Sequence, residues 1–250
     1  MITFFIPLFN EEKKSKSKLK LFLKDLKLFI KHPSNKKNFF YFYNDGSTDK
    51  TNIYLENLKK NFKSDKIIII NNNINKGVGY SFKQAINRCK TKFIFFLPGD
   101  DDINLAKDLL NLKKYCKWDL TFFCPINYEK YSTPRYFLSM MFRLIYGITY
   151  GVKVNYIQSP CLYKLSLLKK HKFRSNRMSI WPEVNLKLLK TNLNYTEVPI
   201  IFKNKSIIDR SVSLKNLLEV TTMYLLTLLE IKLFNRKKYS DSAKKKYVWC

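Results

Sequence analysis

Glycine is scarce in this chain, six in 250 residues. No glycine-rich P-loop or Gly-x-Gly-x-x-Gly turn can be read from it, and each turn that does use a glycine marks a special backbone. Histidine is scarcer still: His32 and His171, both next to lysine, are expected at the surface. The five cysteines (Cys89, Cys116, Cys124, Cys161, Cys250) form no Cys-x-x-Cys pair. That excludes a zinc site of familiar spacing and suggests a reduced, cytoplasmic protein. Long apolar runs are also missing. The most apolar late run, residues 220–229, is bracketed by Glu219 and Glu230, whereas a spanning helix needs roughly 20 residues. The chain enters an apolar strand at Ile2 and meets Asn10-Glu11-Glu12 before any adequate signal-peptide core, so no secretory leader is expected.

Acid is in short supply too, 19 Asp+Glu against 47 Lys+Arg, a net charge of +28. Such a surface attracts anionic lipid, nucleic acid or anionic small substrates. Codon bias competes as an explanation, because Lys, Asn, Ile, Phe and Tyr dominate. Charge alone therefore assigns no function. Hydrophobic residues at 46% and aromatics at 16% argue for a packed core and against disorder.

Apolar runs at residues 2–6, 39–43, 67–70, 93–97 and 120–124 predict five strands. Between them, apolar residues recur at helical spacing: Leu19, Phe22, Leu23, Leu26, then Tyr54, Leu55, Leu58, then Phe82, Ala85, Ile86, then Leu105, Leu109, Leu112. Continuous apolar strands alternating with amphipathic helices predict an α/β fold, a mostly parallel sheet covered on both faces. In such sheets ligands bind beyond the carboxyl ends of the strands. Each of the first four strands is followed by a polar loop: Pro7 with Asn10-Glu11-Glu12, Asn44-Asp45-Gly46-Ser47-Thr48-Asp49, Asn75-Lys76-Gly77-Val78-Gly79, and Pro98-Gly99-Asp100-Asp101-Asp102.

The chemistry of these loops suggests a nucleotide site. Asp45 is a candidate acceptor for the N–H edge of a nucleobase, and an ordinary strand-turn-helix junction is the plainer account. Lys76 and Gly77 precede a helix whose N–H groups suit a phosphate or hydroxyl. Asp100, Asp101 and Asp102 abut a buried strand, where three carboxylates repel unless a cation sits among them. Hard oxygen ligands suit Mg²⁺ or Mn²⁺; the alternative is an acidic helix start.

Together these motifs resemble the family 2 glycosyltransferases of GT-A, Rossmann-like fold, especially the branch containing dolichol-phosphate mannosyltransferase and the polyprenyl-phosphate glycosyltransferases. Residues 6–11 (Ile-Pro-Leu-Phe-Asn-Glu) are similar to the branch's Pro-x-Tyr-Asn-Glu opening, with Phe9 in the tyrosine place. Residues 44–49 resemble its Asp-Asp-Gly-Ser-x-Asp motif, with Asn44 replacing the first Asp. Pro98-Gly99-Asp100 stands where Asp-x-Asp is usual. Pro134-Arg135 with Ser139, residues 159–164, and Glu183 followed by Glu197-Val198-Pro199-Ile200 continue the match in order to about residue 213. The closing Arg-x-x-Gly-x-Ser is degraded to residues 205–210.

The resemblance implies an inverting transferase that moves a sugar from a UDP- or GDP-linked donor to a membrane-associated acceptor such as a polyprenyl phosphate. Pro7, Phe9, Glu11, Asp45, Lys76 and Gly77 would face the nucleotide, and Asp100 and Asp102 a Mg²⁺ or Mn²⁺ ion. Arg135, Ser139, Lys205 and Arg210 would serve the acceptor phosphate. A hydroxyl acceptor would need a base, for which Asp101 and Glu183 are candidates. Residues 1–213 would form the transferase domain, 1–125 its donor half and 126–213 its acceptor half. Residues 214–250 would form an amphipathic helix and basic tail. Residues 135–154 and 214–234 mix apolar and basic side chains, which suits an anionic membrane surface, so a peripheral place at the cytoplasmic face is expected. Two other readings stand: a transferase acting on a hydroxyl of a surface glycan, and a basic binding protein with a degenerate transferase fold. Lysines scattered over helix faces make nucleic acid the least favoured partner.

Overall fold

A computed structural model describes residues 1–62, 64–99, 103–127, 133–203 and 214–247, with the backbone alone for 133–136 and 214–217. The described strands are β1 (Ile2–Leu8), β2 (Phe39–Asp45), β3 (Ile67–Asn72), β4 (Phe93–Phe96), β5 (Leu120–Pro125), β6 (Cys161–Lys164), β7 (Asn194–Ile200) and β8 (Lys244–Lys245). They form one sheet in the order β3-β2-β1-β4-β6-β5-β7-β8. Only β6 runs against its neighbours: it pairs antiparallel with both β4 and β5, while every other pairing is parallel.

Side-chain alternation explains why these strands are apolar throughout. On β1, Phe4, Ile6 and Leu8 enter one core and Phe5 the other; Phe40 and Phe42 oppose Tyr41 and Tyr43 on β2 in the same way. Helices α1 (Glu11–Lys31) and α2 (Thr51–Phe62) cover one face with Phe22, Leu26, Leu55 and Leu58. Helices α3 (Val78–Arg88) and α6 (Ile180–Leu189) cover the other with Phe82, Trp181 and Val184. Trp181 stacks on Phe96 with ring centroids 3.8 Å apart. Two further helices, α4 (Thr133–Tyr150) and α7 (Leu214–Leu229), pack together, with the short α5 (Leu165–Leu168) following β6.

Two expectations change. The helix expected around Leu105 to Cys116 is a π-helical turn, Leu105–Leu109, followed by a 3₁₀ turn, Leu112–Tyr115. Its apolar residues step from 109 to 112 to 115, and closing the second turn on i+3 keeps Leu112 and Tyr115 on the buried side. Strands β2 and β3 run past their apolar cores into Asn44-Asp45 and Asn71-Asn72, because Asn44 pairs with Leu8 and Asn71, and Asp45 with Asn72. Polar side chains are thereby held on rigid strand ends rather than on loops.

Candidate active site

The strand order reverses at β1. The chain lays β2 and β3 on one side of it, then crosses to place β4 on the other. That makes the β1/β4 junction a topological switch point, where open α/β sheets leave a crevice for ligands. Gly99 follows β4 there, and a Cβ on it would lie 2.8 Å from the Pro7 carbonyl oxygen. The strand end therefore emerges in contact with Pro7, and Asp100, Asp101 and Asp102 are the next residues along the chain. These three lie outside the described residues. Among those described, no three His, Cys, Asp or Glu side chains gather as a metal set.

At this edge of the sheet the loops are tied together by side chains. Asn10, in a left-handed conformation (φ 51°), does not cap α1 with its own side chain. Its Oδ1 accepts from Thr48 N at 2.8 Å, and its N–H donates to Ser47 Oγ at 3.0 Å. The open N–H groups of α1 are taken by the neighbouring loop: Glu12 N donates to Thr51 Oγ1 (3.2 Å) and Lys13 N to Asp49 Oδ2 (2.7 Å). Asp49 also accepts from Thr51 N at 2.9 Å, so one carboxylate starts two helices. Burial raises its pKa, but the bonds from Thr51 and Lys13 outweigh this and hold it below the usual carboxylate range. Glu11 accepts from Lys14 at 2.5 Å, and Phe9 beside it is half-buried.

Asp45 has a different place from the one expected. It is 4% exposed, and its carboxylate is engaged by its own chain. Oδ1 accepts from Asn72 Nδ2 (2.7 Å) and Lys76 N (3.0 Å), and Oδ2 from Gly77 N (2.7 Å). It fixes the loop after β3. The Lys76 ammonium lies over the Tyr80 ring, 4.8 Å from its centroid.

The N-terminus of α3 is also occupied. Gly79 N and Tyr80 N donate to the Asn176 carbonyl at 2.8 and 3.2 Å. A Cβ at Gly77 (φ 92°) would stand 2.2 Å from that same oxygen, and one at Gly79 would stand 2.6 Å from the Ser175 oxygen. These two glycines exist to let residues 175–177 approach, and the helix start receives a carbonyl rather than a phosphate.

Glu183 explains what holds that loop. Only 2% exposed, it accepts from Arg174 N (2.9 Å) and Ser175 N (2.9 Å) and pairs with Lys187 at 2.8 Å. This burial turns its carboxylate inward, against its candidacy as the base for a hydroxyl acceptor. Lys187, itself fully buried, bridges to Glu230 at 3.0 Å, and Glu230 meets Arg174 at 3.2 Å. Asn72, Asn176, Lys187 and Glu230 carried no motif. The one available signal was the Glu183/Lys187 pair, four apart in a mostly apolar helix.

Ser139 is half-buried on α4, and Arg135 lies in its first turn, where the backbone alone is described. Lys205 and Arg210 lie outside the described residues. His171, expected at the surface, is half-buried against Tyr239, its Nδ1 3.2 Å from the hydroxyl.

A parallel α/β sheet whose strand order reverses at β1, with the polar loops at that edge tied to one another, is the class of fold that binds ligands at the switch point. The family model described as glycosyl transferase family 2 matches residues 3–178, and the chain belongs to that family. Solved structures agree on the fold. S. aureus TarS 1–349 in complex with UDP-GlcNAc superposes with a TM-score of 0.59 at 18% identity, over 95% of this chain and 69% of that one. Glucosyl-3-phosphoglycerate synthase from Mycobacterium tuberculosis, in complex with Mn²⁺, UDP-glucose and phosphoglyceric acid, gives 0.61 at 12% identity, over 92% and 79%. A mycobacterial protein gives 0.67 at 11% identity, over 91% and 74%. No curated protein matches at the sequence level.

Proposed function

We propose that this glycosyltransferase takes a nucleoside diphosphate sugar, UDP-linked in the first instance, and transfers the sugar to a phosphate of a polyprenyl lipid at the cytoplasmic face of a membrane. The observation that carries the donor reading is the β1/β4 switch point, with Gly99 seated on Pro7 and three acids next in sequence. Both TarS and the mycobacterial synthase carry a UDP-sugar in structures of this fold.

In this reading Pro7 and Phe9 wall the nucleoside, with Glu11 and the exposed Lys76 at its edge. Asp45 acts one step back, by holding the Lys76–Gly77 backbone. Asp100 and Asp102 would bind Mg²⁺ or Mn²⁺, which supplies positive charge to the leaving diphosphate; Mn²⁺ accompanies UDP-glucose in the mycobacterial synthase. The acceptor oxygen attacks the anomeric carbon from the side opposite the leaving group. The new C–O bond forms as the bond to the diphosphate breaks, and the diphosphate departs with the electron pair.

A phosphate acceptor is already anionic and needs no base, which agrees with the sealed position of Glu183. Asp101 remains the candidate should the acceptor be a glycan hydroxyl. Arg135, Ser139, Lys205 and Arg210 are assigned to the acceptor phosphate, residues 1–125 to the donor half, 126–213 to the acceptor half, and 214–250 to membrane attachment. No described helix is long and apolar enough to cross a membrane, so attachment would be peripheral.

Calorimetric titration with UDP- and GDP-sugars, with and without Mn²⁺, tests the donor reading on the wild type and Asp100→Ala. Metal-dependent binding of one donor, weakened at least about tenfold in the variant, is expected. Equal binding by the two proteins would remove Asp100 from the metal site, and no binding of any donor would remove the transferase reading.

A further inference from the structure

The sequence is strongly cationic overall, yet the described side chains of two helices include little charge. Residues 137–150 of α4 contain one charged side chain, Arg143, and residues 218–229 of α7 contain one, Glu219, which faces Ser175 at 3.3 Å. The buried side of α4 carries Tyr146 and Tyr150. Opposite them, at spacings of three and four, stand Phe137, Met140, Leu144 and Ile148, and Ile148 is 77% exposed. On α7, Leu218, Leu225 and Leu229 likewise face out, followed by Leu233 and Phe234. Other exposed apolar residues, such as Leu21, Leu28 and Ile53, stand singly among polar neighbours, as on any soluble surface.

The two helices form one surface. Tyr224 of α7 packs edge-on against Tyr146 at 5.2 Å, and its hydroxyl lies 2.6 Å from Thr149 Oγ1. Tyr150 donates to the Tyr224 carbonyl at 3.0 Å. Where α4 ends, an open cavity of about 560 Å³ lies between that end and residues 231–240, which follow α7. Its lining includes Lys190, Lys232, Arg236 and Ser240 and no carboxylate, and Ile148 stands on its rim. Of the two acids next to the lining in sequence, Glu230 is turned inward onto Lys187 and Arg174, and Asp241 is exposed after Ser240.

An apolar face that borders a cationic, polar recess is complementary to one environment: acyl chains beneath a layer of anionic headgroups. We propose that the outward faces of α4 and α7 lie in the interface of an anionic bilayer, with one phosphate headgroup held in the Lys190/Lys232/Arg236 cavity. This deepens the peripheral attachment proposed above and rests on it, but it requires nothing of the donor site. The surface would bring the acceptor half of the sheet to the lipid plane, where a polyprenyl phosphate presents its own phosphate.

Flotation with phosphatidylcholine vesicles, with and without phosphatidylglycerol, tests the surface; UDP-sugar calorimetry on the same samples without vesicles reports the donor site separately. The wild type is expected to float with the anionic vesicles only, and less at high salt. Lys232→Glu with Arg236→Glu should lower the bound fraction about tenfold or more. Leu144→Ser with Ile148→Ser should do the same through the apolar face. Donor binding should stay unchanged in both. Equal flotation by the charge-reversal variant, or by neutral and anionic vesicles, overturns the proposal. So does a wild-type dimer in light scattering that dissociates in the serine variant without any vesicle binding, because a second copy would then cover the face. Should the serine variant fail to fold, the charge-reversal variant, altered only in side chains facing open solvent, still decides. Vesicle binding without donor binding would sink the transferase reading and leave this one standing.

Discussion

At the scale of single residues, the site is shaped by atoms that approach too closely for any substitute. Gly77 combines φ 92° with a carbonyl 2.2 Å from where a Cβ would stand. Gly77→Ala should therefore lose about 2–4 kcal/mol from strain and overpacking together, read as a fall in denaturant midpoint with unchanged slope. Asp45 makes a parallel case in electrostatics. Asp45→Asn keeps the shape but turns an amide donor toward Lys76 N or Gly77 N, leaving one buried N–H without an acceptor at a cost of about 1–3 kcal/mol. Donor affinity should fall with it, because the loop carrying Lys76 loosens. A variant that bound donor normally while melting lower would confine Asp45 to folding.

His171 gives a pH-dependent prediction at the same scale. Burial first, and then the nearby cations Lys238, Lys187 and Lys170, lower its pKa from 6.5 to about 4. The unfolded chain therefore binds this proton more readily than the folded one. The contribution is intact above pH 6.5 and is lost as pH falls toward 4. Melting temperature should decline across that window, and His171→Gln should flatten the decline. An identical pH profile in the variant would assign the acid sensitivity to other groups.

At the scale of elements, the loop at residues 172–177 is held from three sides. Its carbonyl at Asn176 caps α3, its N–H groups at 174 and 175 bind Glu183 of α6, and Arg174 reaches Glu230 at the end of α7. Lys187 is the shared cation, fully buried between two carboxylates. Lys187→Met leaves Glu183 without its cation and Glu230 with Arg174 alone, and should cost about 3–5 kcal/mol. Adding Glu183→Gln and Glu230→Gln should recover part of that loss, since no unpaired charge then remains buried. Additive losses in the triple variant would show that the three do not act as one network. The capping of α1 by Asp49 and Thr51, rather than by Asn10, is another tie between elements.

At the scale of the whole molecule, the reversal at β1 converts a series of strand-helix units into a binding protein. Four polar loops would follow four strands in any parallel sheet, but only the order β3-β2-β1-β4 brings Gly99 onto Pro7. The same scale decides the apolar outer face of α4 and α7. Each helix alone is an ordinary apolar segment, and their packing through Tyr146, Tyr150 and Tyr224 turns the remaining apolar side chains outward.

The sequence by itself determined the strand and helix alternation, the parallel character of the first four strands, and the family. Apolar periodicity and motif order are local properties, and they survive in a string of residues. It also marked Glu183, through its place in the family's motif order. Only the tertiary structure decided what Asp45 and Glu183 touch. Their partners, Lys76 N, Gly77 N, Arg174 N and Ser175 N, are backbone groups, and backbone groups leave no trace in residue type. Glu230 was invisible for a related reason: its cation, Lys187, lies 43 residues away, a separation that only folding closes.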